Sequence, residues 1–418
     1  PIGGVMVDAS GMVRSASVSE RGDLANHLKA RVTPAKGEMA AATDMRCVSL
    51  AGLQKAVLAA KTDANAALPE ELRFLAGLQR IEYVFVNQEE KDIIIAGPAQ
   101  AWEVRQDGAV VGKENGLPVL LLDDLLTVMA SMEKARGEGI TCSIEPTAEG
   151  RQRLQRLLST TRLRPGMNPR YLEPQMRQAF GPQMIKLTGV PSNSHFARTM
   201  VAADFQMKRL AMNLEEAPVR GLPSYLDISK NNIQSASANP RWWMACDYDA
   251  LERNANRTAW KLTGQGIKTM TETDLIAEDG TATASGKTNP RAQKWADLMT
   301  QRFGELASKT AVFGELRAIM DLTVLATLIE QEGLESSAGC DLSELRSLER
   351  VEPASLPVPR AVSPQCSFIR GGSQWVVTAS GGVDASAFTI VQSQKENADV
   401  EKTMSDALDK DEKQTWWW

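Results

Sequence analysis

Histidine is nearly absent from this sequence, which contains only His27 and His195. Imidazole is the side chain that most readily gains or loses a proton near neutral pH, so histidine-based catalysis and His-rich metal sites have few candidates. His195 follows Ser192 and Ser194 at a predicted helix start, which invites a serine–histidine interpretation. Neighbours at a helix cap rarely have triad geometry, and no Gly-x-Ser-x-Gly elbow occurs. A capping or packing role for His195 is therefore favoured.

Cysteine is scarce and scattered. The five cysteines lie far apart and no Cys-x-x-Cys occurs, which argues against a zinc ribbon or a thioredoxin-like site. Cys340 and Cys366 bracket a Pro-rich segment and could form a disulfide in an oxidising compartment. Buried free thiols are the default interpretation for all five, which are Cys47, Cys142, Cys246, Cys340 and Cys366.

Long apolar runs, nucleotide-binding loops and repeats are also missing. No apolar run approaches the roughly 18 residues that a membrane-spanning helix requires, so no transmembrane segment is predicted. Neither a Walker loop nor a Gly-x-Gly-x-x-Gly occurs, and no period typical of a solenoid or propeller is visible. A net charge of −5 gives no general attraction to nucleic acid or anionic membranes. We predict no cofactor and no metal site, and the net charge disfavours a nucleic-acid partner.

What the sequence does contain is a mixture of strand-like and helical patterns. A length of 418 residues exceeds what one core usually serves and predicts about two or three domains. The predicted fold class is α+β, with antiparallel hairpins packed against amphipathic helices. We expect an N-terminal α+β domain over 1–165 and a central α+β domain over 166–345. Residues 346–418 would hold a Pro-rich connector, a terminal hairpin and a charged tail.

The clearest helix lies at about 193–214. Residues 192–194 (Ser-Asn-Ser) supply good N-caps, and Pro218 ends the helix. Asp204 and Lys208 form an i,i+4 pair on its polar side. The apolar residues recur at spacings of four and three, so a core helix is favoured over a partner-binding one. They are Phe196, Met200, Ala203, Met207, Leu210 and Leu214.

Residues 241–271 predict a hairpin in the central domain. Apolar side chains of its first strand alternate with Asp247 and Asp249, which therefore share one face. These two aspartates could bind a cation or act as an acid pair. The alternative is that they lie on a solvated face opposite Lys261 of the paired strand and have no functional role.

Two helices are predicted within 290–331. In the second, Asp321 falls beside the apolar face, and Arg317 one turn back is its expected partner. The apolar face contains Leu316, Met320, Val324 and Leu328.

Asp123 and Asp124 follow the apolar run 117–122. Carboxylates at the end of a strand can hold Mg²⁺. At the first turn of a helix, adjacent carboxylates are explained more simply by capping and by the helix dipole. Capping is therefore the favoured interpretation.

The most basic region lies at 151–177, where few acids offset seven arginines. Such a stripe could bind nucleic acid or another anionic polymer. Arginines spread over a helix and a loop more often form internal ion pairs or a solvated face. The anionic-ligand candidates are Arg151, Arg153, Arg156, Arg162, Arg164, Arg170 and Arg177.

The sequence closes on Trp416, Trp417 and Trp418. Three exposed indoles are costly in water and would favour a groove, a partner or a membrane interface. A terminal accident is the other interpretation. We treat the three residues as candidates for a partner interface.

Five long stretches carry a family resemblance. They are SHFARTMVAADFQMKRLAM with VRGLPSYLD, NPRWWMACDYDALERNANRTAWKLTGQGIKTMTE, KWADLMTQRFGELASKTAVFGELRAIMDLTVLATLI, QWVVTASGGV and GGVMVDASGMVR. Through them most of the chain resembles a planctomycete family known only as a domain of unknown function. The resemblance implies a bacterial, exported protein, located in the periplasm, the cell envelope or the medium. It transfers no catalytic residues, since the family has no assigned activity.

We therefore expect a non-enzymatic structural or assembly component of a bacterial cell envelope or extracellular assembly, which self-associates. Edge strands of the terminal hairpins could extend a neighbour's sheet and form a homo-oligomer. Two alternatives stay open. One is a module that binds an anionic polymer through 151–177, and the other is a hydrolase that uses acids such as Asp247 and Asp249.

Overall fold

A computed structural model describes the chain in the following ranges: 4–61, 68–161, 169–229, 238–347, 357–365, 367, 369–371, 374–376, 380–409 and 416–418. The side chains of 169–170, 238, 369–371 and 374–376 are outside this description. The fold class is α+β, as the sequence predicts. Within these ranges no helix combines the length and the apolar character needed to cross a lipid bilayer.

The helices occur along the whole described chain. They are α1 (Val18–Lys29), α2 (Leu50–Ala60), α3 (Glu70–Arg73), α4 (Leu122–Glu138), α5 (Ala148–Thr160), α6 (Glu173–Phe180), α7 (His195–Ala211), α8 (Tyr225–Ser229), α9 (Pro290–Gln301), α10 (Phe303–Lys309), α11 (Ala311–Gln331), α12 (Leu334–Ala338), α13 (Phe388–Gln392) and α14 (Asp399–Leu408).

The larger sheet is mixed and has nine strands among the described residues. In spatial order they are β1 (Val5–Val7), β2 (Met12–Ser15), β15 (Ala361–Val362), β9 (Gln183–Thr188), β8 (Thr141–Pro146), β18 (Ser380–Asp384), β10 (Ala238–Asp247), β13 (Gly266–Ile276) and β14 (Ala282–Ala284). The pairs β2–β15 and β10–β18 are parallel, and the other neighbours are antiparallel.

The smaller sheet has six described strands. In spatial order they are β19 (Gln394–Glu396), β11 (Leu251–Arg253), β12 (Ala259–Lys261), β4 (Tyr83–Asn87), β5 (Asp92–Ala99) and β3 (Thr43–Ser49). Two hairpins stand apart from both sheets. They are β6 (Trp102–Val104) with β7 (Val110–Gly112), and β16 (Ile369–Gly371) with β17 (Gln374–Val376).

Strands from all three predicted segments lie side by side in the nine-stranded sheet. Residues 1–165 supply β1, β2 and β8, whereas 166–345 supply β9, β10, β13 and β14. Residues 346–418 supply β15 and β18. Strand pairing thus crosses both predicted boundaries, and the division into three domains stays a prediction.

The predicted hairpin at 241–271 is shared between the two sheets. β10 and β13 pair in the larger sheet as far as Asp247 opposite Gly266. Beyond that point the chain crosses to the smaller sheet, where β11 pairs with β12. Every second residue of β10 faces the core, as expected from strand alternation, and the buried residues are Trp242, Met244 and Cys246.

The helix α7 lies between the nine-stranded sheet and the helices α4 and α11. Its N-cap is Ser194, whose hydroxyl accepts a hydrogen bond of 3.0 Å from the amide of Ala197. Because α7 is covered on two sides, its polar side is buried as well, and Asp204 and Lys208 are completely inaccessible to solvent. The i,i+4 pair that the sequence predicts on the polar side of this helix is therefore a buried one.

The two faces of the nine-stranded sheet differ in burial. The face toward α7, α9 and α11 is closed, whereas the opposite face carries mainly half-buried and exposed side chains, apart from the buried, hydrogen-bonded pair Asp274 and Ser380. We call this second surface the open face. Its apolar residues are Met6, Met12, Met184, Trp243 and Met270, and its charged residues include Arg14, Glu145, Lys186, Arg241, Lys268 and Glu272.

Candidate functional site

Two of the exposed large apolar side chains of the described residues lie on the open face. Met184 is 41% exposed and Met270 is 37% exposed. Trp243 is half-buried, and the guanidinium of Arg241 lies 5.9 Å from the centre of its ring. Methionine, tryptophan and arginine are the residues that protein interfaces favour. Sequence reasoning did not find this surface, because its residues come from strands that are far apart in the chain.

The arginines at 151–177 are partly occupied by the chain itself. Arg151 lies 3.6 Å from Glu145 and donates to the carbonyl of Gly280. Arg153 donates to the carbonyl of Ala179, and Arg177 pairs with Glu173 and donates to the carbonyl of Pro364. Arg156 is exposed. Arg162, Arg164 and the side chain of Arg170 lie outside the described residues, so binding of an anionic polymer stays a prediction.

The three tryptophans lie against the edge of the six-stranded sheet. The backbones of Trp418 and Cys47 exchange two hydrogen bonds, of 2.8 and 3.0 Å, and the amide of Ser49 donates to the carbonyl of Trp416. All three indoles are half-buried, and Trp417 covers the guanidinium of Arg46 at 5.3 Å. In this arrangement the tryptophans contact their own chain. Their role in a partner interface stays a prediction.

The predicted disulfide cannot be placed, because Cys366 lies outside the described residues. Cys340 is half-buried, and burial raises the pKa of its thiol to about 11. Cys142 and Cys246 are buried in the core with pKa values also raised by burial. Raised pKa values keep these thiols protonated, so they are poor nucleophiles near neutral pH.

Asp247 and Asp249 do not form a buried acid pair. Asp247 lies 3.6 Å from the ammonium of Lys268 on β13, and Asp249 is exposed. Lys261, the expected partner, lies in the other sheet, where its ammonium is 5.7 Å from the ring of Tyr83. The crossing of the hairpin between the two sheets separates Lys261 from Asp247.

The structure brings together His195 and Asp124. The sequence predicts a capping or packing role for the first and a capping role for the second, and it does not connect the two. Nδ1 of His195, the first residue of α7, lies 3.0 Å from both carboxylate oxygens of Asp124 in the first turn of α4. Asp123 and Glu315 face the same imidazole. Three helices therefore contribute side chains to one cluster near their N-terminal ends. Among the described residues, no three His, Cys, Asp or Glu side chains are arranged to hold a metal ion.

The electrostatics of this cluster favour a structural role. Burial alone would lower the pKa of His195, but the carboxylate of Asp124 outweighs burial and raises this pKa to about 9. The imidazole is therefore protonated at neutral pH and cannot act as a general base there. Burial raises the pKa of Glu315, whose Oε2 atom has no hydrogen-bond partner among the described residues.

One family model matches part of the chain. Its description is "Protein of unknown function (DUF1598)", and the match covers residues 142–225. The match includes β9 and the whole of α7, and with them His195. No curated protein and no solved structure was found to match the chain.

The matched segment 142–225 contains a fully buried ion pair. Nζ of Lys208 donates to Asp204 at 2.9 Å, to the carbonyl of Ile144 in β8 at 2.7 Å and to the carbonyl of Gly381 in β18 at 3.2 Å. Burial raises the pKa of Asp204 to about 6 despite the neighbouring ammonium. The pair connects α7 to two adjacent strands. This is a structural role for two residues that the helical pattern alone places on the polar side.

A second buried carboxylate lies outside the matched segment, at Asp321. Nε of Arg80 donates to Asp321 at 2.6 Å, and the phenol of Tyr248 donates to it at 2.5 Å. The amide of Ile81 donates as well, at 3.1 Å. The expected partner Arg317 makes no direct ion pair with Asp321 among the described contacts. Arg80 takes that place because the chain before β4 passes directly beside α11.

Proposed function

We propose that the protein is a non-enzymatic component that self-associates through the open face. The observation that carries this proposal is the row of exposed and half-buried methionines and Trp243 across the nine-stranded sheet. The described titratable clusters support a non-enzymatic role, because His195 is held as a cation and Asp321 is saturated with hydrogen bonds.

The size of the open face fits a second copy of the chain. Nine strands at about 4.8 Å spacing make the face about 40 Å wide. With a height of about 20 Å, it offers roughly 800 Å², which is what one partner contributes to a standard interface.

The charges of the open face also fit a second copy. Arg14, Lys186, Arg241 and Lys268 are positive, whereas Glu145 and Glu272 are negative. Because both signs occur on the face, two copies related by a two-fold axis can place opposite charges together.

The sheet edges support the proposal less well than the face. The edge strands β1, β14 and β19 each have three residues, and residues 416–418 already pair with β3. Short or covered edges are poor templates for adding a neighbour's strand. Our expectation of edge pairing therefore gives way to face packing within this proposal.

The resemblance to a planctomycete family adds the context of the proposal. A bacterial origin, export and a place in a cell envelope or an extracellular assembly are proposed on that resemblance alone. Fractionation of the source cells tests the location, and recovery of the protein only in the cytoplasm would contradict it.

Sedimentation velocity tests self-association. We expect the wild-type protein to sediment as a dimer or larger species at micromolar concentration. Met184→Glu and Met270→Glu place charges on exposed apolar positions of the face and should weaken association by about tenfold or more. Val18→Glu is the control, because Val18 is 79% exposed but lies on α1. A monomeric wild type, or equal effects of all three variants, would refute the proposal.

A further inference from the structure

A cavity of about 530 Å³ opens at the C-terminal end of α11. The tip of the β11–β12 hairpin and the segment joining α13 to β19 complete its walls. Its polar lining consists of Arg253, Arg257, Gln331, Glu332, Gln392 and Gln394. The volume lies within the roughly 300–1,000 Å³ that small-molecule sites occupy. The open face does not include these residues, so the cavity is a separate site.

The one carboxylate of the lining is already bound. Oε2 of Glu332 accepts hydrogen bonds from two nitrogens of Arg257, Nε at 3.0 Å and Nη2. Oε1 of Glu332 accepts from the amide of Gln394 at 2.8 Å. Glu332 is only 14% exposed at its side chain. It therefore serves as a fixed support for Arg257, and few acceptors remain for a ligand's donors.

Several N–H donors of the lining have no partner in the described part of the chain. Nη1 of Arg253 donates to the carbonyl of Asn254 and lies 3.7 Å from Glu396. Three further guanidinium nitrogens make no direct hydrogen bond to a described residue, namely Nε and Nη2 of Arg253 and Nη1 of Arg257. The same is true of the side-chain amides of Gln331 and Gln392. The cavity therefore presents more hydrogen-bond donors than acceptors, and the donors include two guanidinium groups.

The backbone that carries Arg257 is held in an unfavourable conformation. Its φ is 54°, in the left-handed region that side chains other than glycine and asparagine disfavour. Asn254 fixes the turn, since its Oδ1 accepts from the amides of Thr258 and Ala259 at 2.8 and 3.1 Å. The result is that Arg257 reaches Glu332 at the cavity wall. Backbone strain of this kind is often found at ligand sites.

We infer that this cavity binds a small polar molecule through a carboxylate group. Guanidinium groups form charge-assisted, often bidentate hydrogen bonds with carboxylates. Arg253 and Arg257 would hold the ligand's carboxylate, and the amides of Gln331 and Gln392 would bind adjacent hydroxyl or carbonyl groups. The ligand class is a hydroxylated carboxylate, of which sugar acids are examples.

Isothermal titration with matched probes tests this assignment. Glucuronate and glucose differ only in the carboxylate, so we expect glucuronate to bind at least about tenfold more tightly. Arg253→Gln should weaken glucuronate binding by about tenfold, whereas Arg156→Gln, which removes an exposed arginine from α5, should change it less than about twofold. Gln392→Ala is a second variant at an exposed position and should weaken binding by a smaller factor.

Three outcomes would overturn the inference. The first is that glucuronate, glutamate and citrate all fail to bind at about 10 mM, since even weak sites give a signal there. The second is equal binding of glucose and glucuronate. The third is a loss with Arg156→Gln as large as with Arg253→Gln, which would indicate general charge attraction. We expect Arg253→Gln and Gln392→Ala to sediment as the wild type does. A loss of ligand binding in these variants is then distinct from a loss of the proposed self-association.

Discussion

At the scale of single residues, His195 is predicted from the sequence to cap or pack a helix, whereas the structure places it in an ion pair with Asp124. In the sequence it is a histidine next to serines, and the helix signal accounts for it. In the structure, its Nδ1 atom meets Asp124, which lies 71 residues earlier in the chain. No local pattern could have joined the two, because the packing of α7 against α4 brings them together.

The pairing of His195 predicts a pH-dependent stability. Its pKa is about 9 in the folded protein and 6.5 in the unfolded chain. A raised folded pKa contributes stability that is fully present below pH 6.5 and is lost as the pH rises through 9. His195→Gln should lower the free energy of unfolding by about 2 kcal/mol at pH 6 and by much less at pH 10.

Denaturant titrations of both proteins at several pH values measure this difference. The variant is compared with the wild type at each pH. His27→Gln is the matched control, because His27 is an exposed histidine of α1. A difference that does not change between pH 6 and pH 10 would show that the imidazole is not protonated in the fold.

At the scale of elements, residues 416–418 act as a short strand that covers the edge of β3. Arg46, which is 3% exposed, lies beneath Trp417. The guanidinium donates to backbone carbonyls, including that of Ala76 at 2.7 Å. Ala76 lies in a turn where three consecutive residues, Leu75 to Gly77, have positive φ. The element therefore covers a buried charge whose described hydrogen bonds all go to backbone carbonyls.

Replacing Trp417 should expose this charge. Trp417→Ala removes the ring over Arg46 and should reduce the free energy of unfolding by about 2–3 kcal/mol. Trp417→Phe keeps an aromatic face and should cost less than half as much. Urea-induced unfolding followed by circular dichroism measures both variants. If alanine and phenylalanine cost the same, the ring does not shield the guanidinium.

At the scale of the whole molecule, the two sheets are linked by the hairpin 241–271 and by α11. Asp321 of α11 binds Arg80 before β4 and Tyr248 after β10, so one carboxylate holds both sheets. The nine-stranded sheet also mixes strands from all parts of the chain. Separate unfolding of the three predicted domains would have to break these pairings.

We therefore expect a single cooperative unfolding transition. Differential scanning calorimetry should give one peak whose calorimetric and van't Hoff enthalpies agree. Asp321→Asn should shift that peak as a whole to lower temperature, since it weakens the contacts of both sheets. Two separate peaks, of which only one moves in Asp321→Asn, would instead support the domain boundaries near 165 and 345.

The sequence by itself determined the local elements. The spacing of Phe196, Met200 and Met207 is enough to specify α7, and the alternation in β10 is enough to place Trp242 in the core. These patterns report how a segment divides its side chains between core and solvent, and that depends on neighbouring residues. The α+β class follows from them.

Only the tertiary structure decided which elements meet. In it Lys208 lies in the core, Asp321 forms its ion pair with Arg80 instead of Arg317, and strands that are distant in the chain form the open face. It also formed the cavity of Arg253 and Arg257 from three separate segments. Partners of this kind depend on sheet order and helix packing, which arise from contacts between residues far apart in the chain and leave no periodic signal in the sequence.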